Sequence, residues 1–197
     1  MEACVAASEP VIKVAALCGS PRKASFHRGL ITSAIQLCRE SIKGMYIEYV
    51  DIEPLPFMNP DLEAGGTFPP VVEAFRQKIL EADSILFASP EYNCSVTPLL
   101  KNAIDWATRP PSVLADKSVA IISTGALGGR SAQLHLRQIG IYDLHFINKP
   151  EFALNTFDPP RKFDSDGNLI DPEAKEKLKE VLLSLQTLTL RLNRNMY

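Results

Sequence analysis

The segment VIKVAALCGSPRKASFH, residues 11–27, decides the fold class. Its first eight residues are apolar except for Lys13 and rich in β-branched side chains, and they lie between Pro10 and Gly19. This composition predicts a strand that is buried on both faces. An amphipathic helical pattern begins where the segment ends, with Leu30 and Ala34 on one face. A buried strand followed at once by a helix is typical of the repeating unit of an α/β protein.

The alternation of strands and helices continues along the chain. Apolar runs typical of buried strands recur at residues 46–51, 84–89, 119–122 and 144–147, and the last is open to extension past Pro150. Helical patterns follow them at residues 71–82, 97–109, 131–140 and from residue 171 onwards.

This order of elements predicts a single α/β domain over residues 1–197, with residues 1–10 as a flexible N-terminus. Such alternation implies a parallel sheet with helices on both faces. A five-stranded sheet in the order 2-1-3-4-5, the flavodoxin-like arrangement, fits this length better than a barrel or a six-stranded dinucleotide domain. Ligands of such sheets bind beyond the carboxyl ends of the strands, where the strand order reverses. The loops after strands one, three and four are therefore predicted to carry the chemistry.

Composition and charge exclude several classes of protein. Hydrophobic residues make up 46% of the chain and charged residues 22%, as in a folded globular protein. The sequence contains no apolar run of about 18 residues, so no transmembrane helix is expected. The net charge of −2, without a basic block, argues against binding to nucleic acid. The first ten residues lack secretory-signal features and the four cysteines lack CxxC pairing, so we expect a cytoplasmic protein with reduced thiols.

The loop after the first strand, residues 19–25, has the chemistry of a phosphate site. Amides at the start of the following helix carry partial positive charge, and the hydroxyls of Ser20 and Ser25 can donate hydrogen bonds. Arg22 adds a cation that can bind phosphate through two hydrogen bonds. Neither the P-loop pattern nor the dinucleotide fingerprint is present, which excludes those two kinds of site. The alternative interpretation is a polar turn in which Ser25 only caps the helix.

The loops after the third and fourth strands are also polar. Residues 89–98 include Tyr92, which offers an aromatic face or a phenol, and Asn93, whose amide both donates and accepts. Residues 123–130 include three glycines, which permit close approach to the backbone. Each loop alone is also consistent with a surface turn or a flexible connector. Three such loops at adjacent strand ends favour a shared binding site.

Three motifs in these regions resemble the NADPH-dependent FMN reductase family: GSPRKAS at residues 19–25, PEYN at 90–93 and LKNAIDW at 100–106. The resemblance covers residues 13–152, most of the chain. It implies a flavodoxin-like protein that binds FMN noncovalently, uses NADPH or NADH as co-substrate and reduces quinones by two-electron transfer. It also implies a homodimer or a homotetramer.

The resemblance assigns roles to matching positions. Ser20, Arg22 and Ser25 would hold the FMN phosphate. His27 stands where many members have asparagine; it can still donate to phosphate, and it would make the site sensitive to pH near the unperturbed histidine pKa of about 6.5. The remaining positions would line the isoalloxazine ring or approach the flavin from the fourth strand: Pro90, Glu91, Tyr92, Asn93, Ser123, Thr124 and Gly125.

Chemistry carried by a flavin requires no catalytic triad, and Tyr92 is a candidate for orienting the substrate. No metal site is expected, because His135 and His145 have no third ligand nearby in the sequence. The loop at residues 125–130 has fewer glycines than the family pattern, which bears on the access of large substrates. Trp106 is predicted to pack in the core or between subunits.

The reaction that the resemblance implies is hydride transfer from NADPH through FMN to a quinone, with both substrates using one face in ping-pong order. Two alternatives stay open: a flavodoxin-type electron carrier, and a regulatory FMN-binding protein without turnover. A carrier docks its partners through a strongly acidic surface, and the net charge of −2 argues against that. Oxidation of NADPH by the isolated protein in the presence of a quinone separates an enzyme from both.

Overall fold

The computed structural model describes residues 11–63 and 65–194, so the prediction for residues 1–10 lies outside the described residues. Within these ranges, the strands are β1 (Ile12–Cys18), β2 (Met45–Tyr49), β3 (Ser84–Ala88), β4 (Lys117–Gly125), β5 (Leu144–Phe146) and β6 (Phe152–Asn155). The helices are α1 (Phe26–Ser41), α2 (Pro70–Glu81), α3 (Pro98–Ala107), α4 (Arg130–Ile139) and α5 (Pro172–Arg194), with a 3-10 turn at Pro60–Leu62.

The strands form one parallel sheet in the order β2-β1-β3-β4-β5, which confirms the predicted flavodoxin-like arrangement. The prediction of five strands is wrong in one respect, because the fifth is divided in two. Residues 144–146 pair with the first half of β4, and the chain pairs again from Phe152, which lies beside Ile122. Pro150 lies between the two pairings, and proline has no amide proton to donate to a ladder.

Alternate residues of β1 point into two separate cores. Val14 and Ala16 belong to the core that α1 and α5 cover, whereas Ala15 and Leu17 belong to the core that α2 and α3 cover. Both faces of the strand are therefore buried from Val14 to Cys18, which explains why its sequence is apolar apart from the exposed Lys13. The burial pattern confirms the predicted strand covered on both faces, although it begins at Ile12, and Val11 before it is exposed.

Helix α5 is 23 residues long. Its apolar face packs on the sheet, whereas lysine and glutamate side chains occupy the opposite face. Among residues 11–63 and 65–194, none of the helices combines the length with the apolar character that a membrane span requires.

Candidate functional site

The carboxyl ends of β1, β3 and β4 meet at one rim of the sheet. Cys18, the last residue of β1, pairs with Ala88, the last residue of β3, and Ala88 pairs with Ile122 of β4. Strands β1 and β3 therefore both end in register with Ile122. The Gly19 amide donates to the Ala88 carbonyl (2.9 Å), which extends the pairing by one residue. The three loops predicted to carry the chemistry are therefore adjacent.

The loop between β1 and α1 ends in a helix cap. Ser25 is the N-cap residue of α1, and its Oγ accepts from the His27 amide (3.2 Å). Ser20 is buried, and its Oγ accepts from the Arg22 amide (3.4 Å). Each hydroxyl still has a proton to donate. Arg22 is exposed, with its guanidinium 5.4 Å from the centroid of the Phe26 ring. A helix cap, two hydroxyls and an exposed cation thus lie together at the start of α1.

Three helices begin at this rim, and they differ in what occupies their first turns. The first turn of α1 contains no acidic residue. In α4, the carboxylate of Glu91 accepts from the Ser131 amide (2.9 Å). Helix α3 begins with Pro98, which has no amide proton, and Thr97 Oγ1 accepts from the Leu100 amide. Because a helix N-terminus attracts anions unless a carboxylate already occupies it, α1 is the helix that fits a phosphate group.

The PEYN segment folds as a two-residue hairpin turn. Tyr92 and Ser95 exchange backbone hydrogen bonds in both directions (3.0 and 3.1 Å). Asn93 and Cys94 between them both have positive φ, at 49° and 61°. Asparagine adopts this conformation more readily than most residues because its short side chain bonds locally. The turn leaves the Tyr92 side chain half exposed at the rim.

The predicted contacts Ser123 and Thr124 lie inside β4, not in the loop after it. Ser123 Oγ donates to the Gly128 carbonyl and accepts from Gln133 Nε2 (2.7 Å). Thr124 Oγ1 donates to the Leu154 carbonyl (3.0 Å). Their placement in the loop was therefore wrong, because both belong to the strand. Both hydroxyls are buried and already bonded, and a flavin contact of either residue stays a prediction. The strand is longer than predicted because β6 pairs with its last four residues.

The loop from Gly125 to Gly129 forms one wall of a cleft of about 300 Å³, and Pro90 and Glu91 form the other. Gly125 has a φ of 156°, and no atom lies within 4 Å of the position that a Cβ would take. Backbone without a side chain lets a flat ring approach closely. A Cβ on Gly129 would lie 2.7 Å from the Ser123 Cβ, so α4 can start here only after a glycine. The cleft fits one part of a planar cofactor, and α1 fits its phosphate.

His27 is buried and links the ends of two strands. Its Nε2 accepts from the Thr124 amide (3.2 Å), and its ring bonds to the Ser89 backbone. Burial lowers the pKa of His27 to about 4, the charge of Arg22 adds to the lowering, and the bond to Ser89 opposes it. The predicted sensitivity to pH near 6.5 is therefore wrong. A phosphate contact of His27 stays a prediction, and in this structure the ring holds β4 next to β3.

We expect acid to destabilise the fold through His27. The unfolded histidine takes up a proton at about pH 6.5, whereas the folded one does so at about pH 4, so stability present at neutral pH is lost as pH falls between these values. The contribution is about 3 kcal/mol at most. In the His27→Asn variant, we expect the unfolding free energy to fall less between pH 7 and pH 4.5 than in the natural protein. Denaturant titrations at saturating FMN, repeated at each pH, measure this difference. An equal fall of the unfolding free energy with pH in the two proteins would contradict it.

Arg22 tests the phosphate assignment. We expect Arg22→Ala to raise the dissociation constant of FMN roughly 10- to 100-fold, because a charge-assisted hydrogen bond contributes about 1.5–3 kcal/mol. Lys23→Ala is the matched control, since Lys23 is an exposed cation in the same loop. Titration of apoprotein with FMN, followed by flavin fluorescence, measures both. Equal loss in the two variants would mean that only the general charge of the loop matters.

One supporting residue and one supporting contact of the site were not predicted. Gln133 bonds both Ser123 and the Phe152 carbonyl (2.8 Å). Glu91 was predicted to line the ring, and its bond to the first turn of α4 is the contact that was not foreseen. A polar residue on the apolar stripe of the predicted helix is the signal that marks Gln133. No local signal marks the contact of Glu91, because its partner lies 40 residues away.

Comparison with known proteins identifies the family. Residues 12–158 match the family model described as NADPH-dependent FMN reductase. The chain belongs to the NADPH-dependent FMN reductase family. It is 68% identical over 194 residues to NADPH:quinone oxidoreductase of Arabidopsis thaliana, which covers 98% of each chain. It is 65% identical over 188 residues to NAD(P)H:quinone oxidoreductase of Solanum tuberosum, which covers 94% of this chain and 97% of that one.

A solved structure with 30% sequence identity has the same fold. The flavoenzyme NAD(P)H:(acceptor) oxidoreductase FerB from Paracoccus denitrificans superposes with a TM-score of 0.76 at 30% identity, over 89% of this chain and 96% of that one. The family match spans β1 to β6, and so includes every loop of the rim described above.

Proposed function

We propose that this protein is an FMN-dependent NAD(P)H:quinone oxidoreductase in which both substrates react in turn at the same rim. The observation that carries the proposal is the pairing of a phosphate-compatible N-terminus of α1 with an open glycine-walled cleft after β4. Membership of an FMN reductase family and the names of the plant relatives support it. The residues present fit FMN, because the cation and hydroxyls suit a phosphate and the backbone at Gly125 suits a flat ring.

The contribution of the protein's own residues is to bind FMN and to orient its ring. When bound, FMN would supply a two-electron redox centre that takes a hydride from NAD(P)H and passes it to a quinone, and one proton from solvent would complete the hydroquinone. Arg22, Ser20 and Ser25 would hold the phosphate, and the PEYN turn would present its backbone to the ring. His27 keeps the ends of β3 and β4 together beneath the site. The described residues need no triad or metal for this task.

The first experiment is an absorption spectrum of the purified protein. We expect the bands of bound flavin, their bleaching on addition of NADPH without oxygen, and their return on addition of 1,4-benzoquinone. A protein that keeps FMN but is not bleached by NADPH would be a binding module. A protein that is bleached only through a separate reductase would be an electron carrier.

Initial-rate kinetics test the shared face. If NADP⁺ must leave before the quinone enters, double-reciprocal plots against NADPH at several quinone concentrations will be parallel. Lines that intersect would show that both substrates bind together, and would contradict the proposed order of reaction.

Assembly and location are part of the proposal. We propose a cytoplasmic homodimer or homotetramer, supported by exposed apolar side chains such as Leu134 and Ile141 and by the free thiols of Cys18, Cys38 and Cys94. The mass of the holoprotein in solution, from sedimentation equilibrium, distinguishes these assemblies from a monomer.

A further inference from the structure

Residues 163–169 form a short hairpin that packs against the start of α1. A β-bridge between its first and last residues closes its base, and Phe163 in this bridge is 3% exposed. The carboxylate of Asp164 accepts from the amides of Asp166 (2.9 Å) and Asn168 (2.8 Å). An aspartate that bonds the backbone of its own turn holds that turn in one conformation. The 163–169 hairpin is therefore fixed by its own hydrogen bonds.

Aromatic contacts connect the 163–169 hairpin to the candidate phosphate loop. The rings of Phe163 and Phe26 are stacked, with their centroids 4.4 Å apart and their planes at 20°. The guanidinium of Arg22 lies 5.4 Å from the centroid of the same Phe26 ring. Stacking fixes the orientation of a ring, and the face of a ring attracts a guanidinium. The orientation of Arg22 thus depends on Phe26, and the orientation of Phe26 depends on Phe163.

Backbone contacts connect the hairpin to the same loop. Gly167 has a φ of 87°, and a Cβ there would lie 2.8 Å from the carbonyl oxygen of Ala24 and 3.2 Å from that of Ser25. The Gly167 carbonyl lies so close to Gly29 that a Cβ on Gly29 would overlap it. The hairpin therefore contacts α1 on both sides of its first turn. Because Ser25 is the N-cap residue, the cap cannot shift unless the hairpin moves with it.

We propose that the 163–169 hairpin positions the phosphate end of the flavin site. Phe163 is the positioning residue, and it orients Arg22 through the Phe26 ring. The inference rests on the proposed function, which assigns Arg22 to the FMN phosphate. The family match ends at residue 158, so it assigns the hairpin no role. An exposed arginine that is already oriented loses less conformational freedom when it binds an anion, and the stack therefore favours the phosphate.

A comparison of FMN with riboflavin tests this role, because the two flavins differ only in the phosphate. Full-length apoprotein is titrated with each flavin, and flavin fluorescence reports binding. We expect the natural protein to bind FMN more tightly than riboflavin. Phe163→Leu should raise the dissociation constant of FMN about fivefold and that of riboflavin by less than about twofold, because leucine keeps apolar area but cannot stack. A residue with only a structural role would weaken the binding of both flavins equally.

Phe146→Leu is the matched control. Phe146 is a partly buried aromatic residue that also lies against a guanidinium, because the Arg137 guanidinium is 5.4 Å from its ring centroid. It belongs to β5, which pairs with the first half of β4 and not with the half that ends at the rim. The ratio of the two dissociation constants should therefore be the same in Phe146→Leu as in the natural protein. An equal change of this ratio in both leucine variants would overturn the positioning role.

A double-mutant cycle tests the route through Arg22. Arg22→Ala removes the group that Phe163 positions, so the double variant with Phe163→Leu should bind FMN no more weakly than Arg22→Ala alone. Additive losses in the double variant would overturn this route.

Asp164→Ala tests the hairpin without removing any member of the aromatic stack, and it serves also if Phe163→Leu does not fold. Loss of a carboxylate near the site would, by charge alone, tighten the binding of an anion. Loss of positioning should instead raise the dissociation constant of FMN about threefold and leave that of riboflavin unchanged. The direction of the change in FMN affinity therefore separates the two explanations.

Three further results would overturn the inference: an unchanged FMN constant in Phe163→Leu, equal weakening of FMN and riboflavin in that variant, or tighter binding of FMN in Asp164→Ala. Equal affinity of the natural protein for the two flavins would overturn it together with the phosphate assignment. Failure of the proposed function is a separate result, because NADPH would then not bleach the flavin of the natural protein. A preference for FMN that depends on Phe163 would still stand in that case.

Discussion

The Gly29→Ala variant is expected to lose about 3 kcal/mol of unfolding free energy. Gly29 lies in α1, and a Cβ there would overlap the backbone carbonyl oxygen of Gly167. The obstacle is backbone, so no side-chain rotation relieves it, and either α1 or the 164–168 loop must move. Gly167 cannot yield easily, because it has a φ of 87° and packs against the Ala24 carbonyl. Since Ala24 belongs to the candidate phosphate loop, FMN affinity should fall as well.

Denaturant titration and FMN titration measure the two effects of Gly29→Ala. Thr32→Ala is the control, because Thr32 is exposed in the same helix and its replacement should change stability by about 0.5 kcal/mol or less. A Gly29→Ala protein as stable as this control would show that α1 and the 164–168 loop can separate at little cost. The predicted coupling between that loop and FMN would then also be wrong.

The Arg76→Met variant is expected to lose about 4 kcal/mol, because three carbonyl groups would lose a charged donor. Arg76 is 5% exposed on α2, and it donates to the carbonyls of Trp106 (2.6 Å), Ala107 (3.3 Å) and Pro111 (2.7 Å). Its guanidinium also lies 4.4 Å from the centroid of the Phe68 ring. The positive charge of Arg76 also stabilises α3, because it lies at the negative, C-terminal end of the helix dipole. Methionine fills the space but donates nothing, so the loss reports the hydrogen bonds.

Arg76→Lys and Gln77→Ala complete the Arg76 experiment. A lysine keeps the charge but cannot span three carbonyls in a plane, so its loss should lie between those of the natural protein and Arg76→Met. Gln77 is exposed on the same helix, and its replacement should cost about 0.5 kcal/mol or less. Thermal or denaturant unfolding that is identical for Arg76→Met and Gln77→Ala would refute the role of Arg76 in holding α3.

Arg76 also shows how the core supports the rim. Helix α3 begins at the PEYN loop and ends at the carbonyls that Arg76 binds, and between these points Asn102 and Trp106 hold the loop after β2. Burial of Trp106 confirms the prediction that it packs in the core. A weakened helix end should therefore disturb the loop after β2 before it affects the phosphate site, which depends on α1.

His27 and Ser123 show what the sequence could not reveal. The family resemblance assigned both residues to the flavin, and those contacts stay predictions, whereas the hydrogen bonds that both side chains make within the protein were not predicted. Their partners, Thr124 for His27 and Gln133 for Ser123, come from other elements of the chain. A side chain bonded within the protein looks the same in sequence as one that faces a ligand.

The sequence by itself determined the order of strands and helices, the parallel sheet and the rim at which three loops meet. Apolar periodicity reports burial element by element, and the right-handed connection of parallel strands leaves few arrangements open. Only the tertiary structure decided that the fifth strand is divided and that Asn102 hydrogen-bonds the backbone on both sides of Phe57. It also decided which hydroxyl groups are already hydrogen-bonded within the protein. Those outcomes depend on hydrogen-bond partners tens of residues apart, and periodicity carries no information about such long-range pairing.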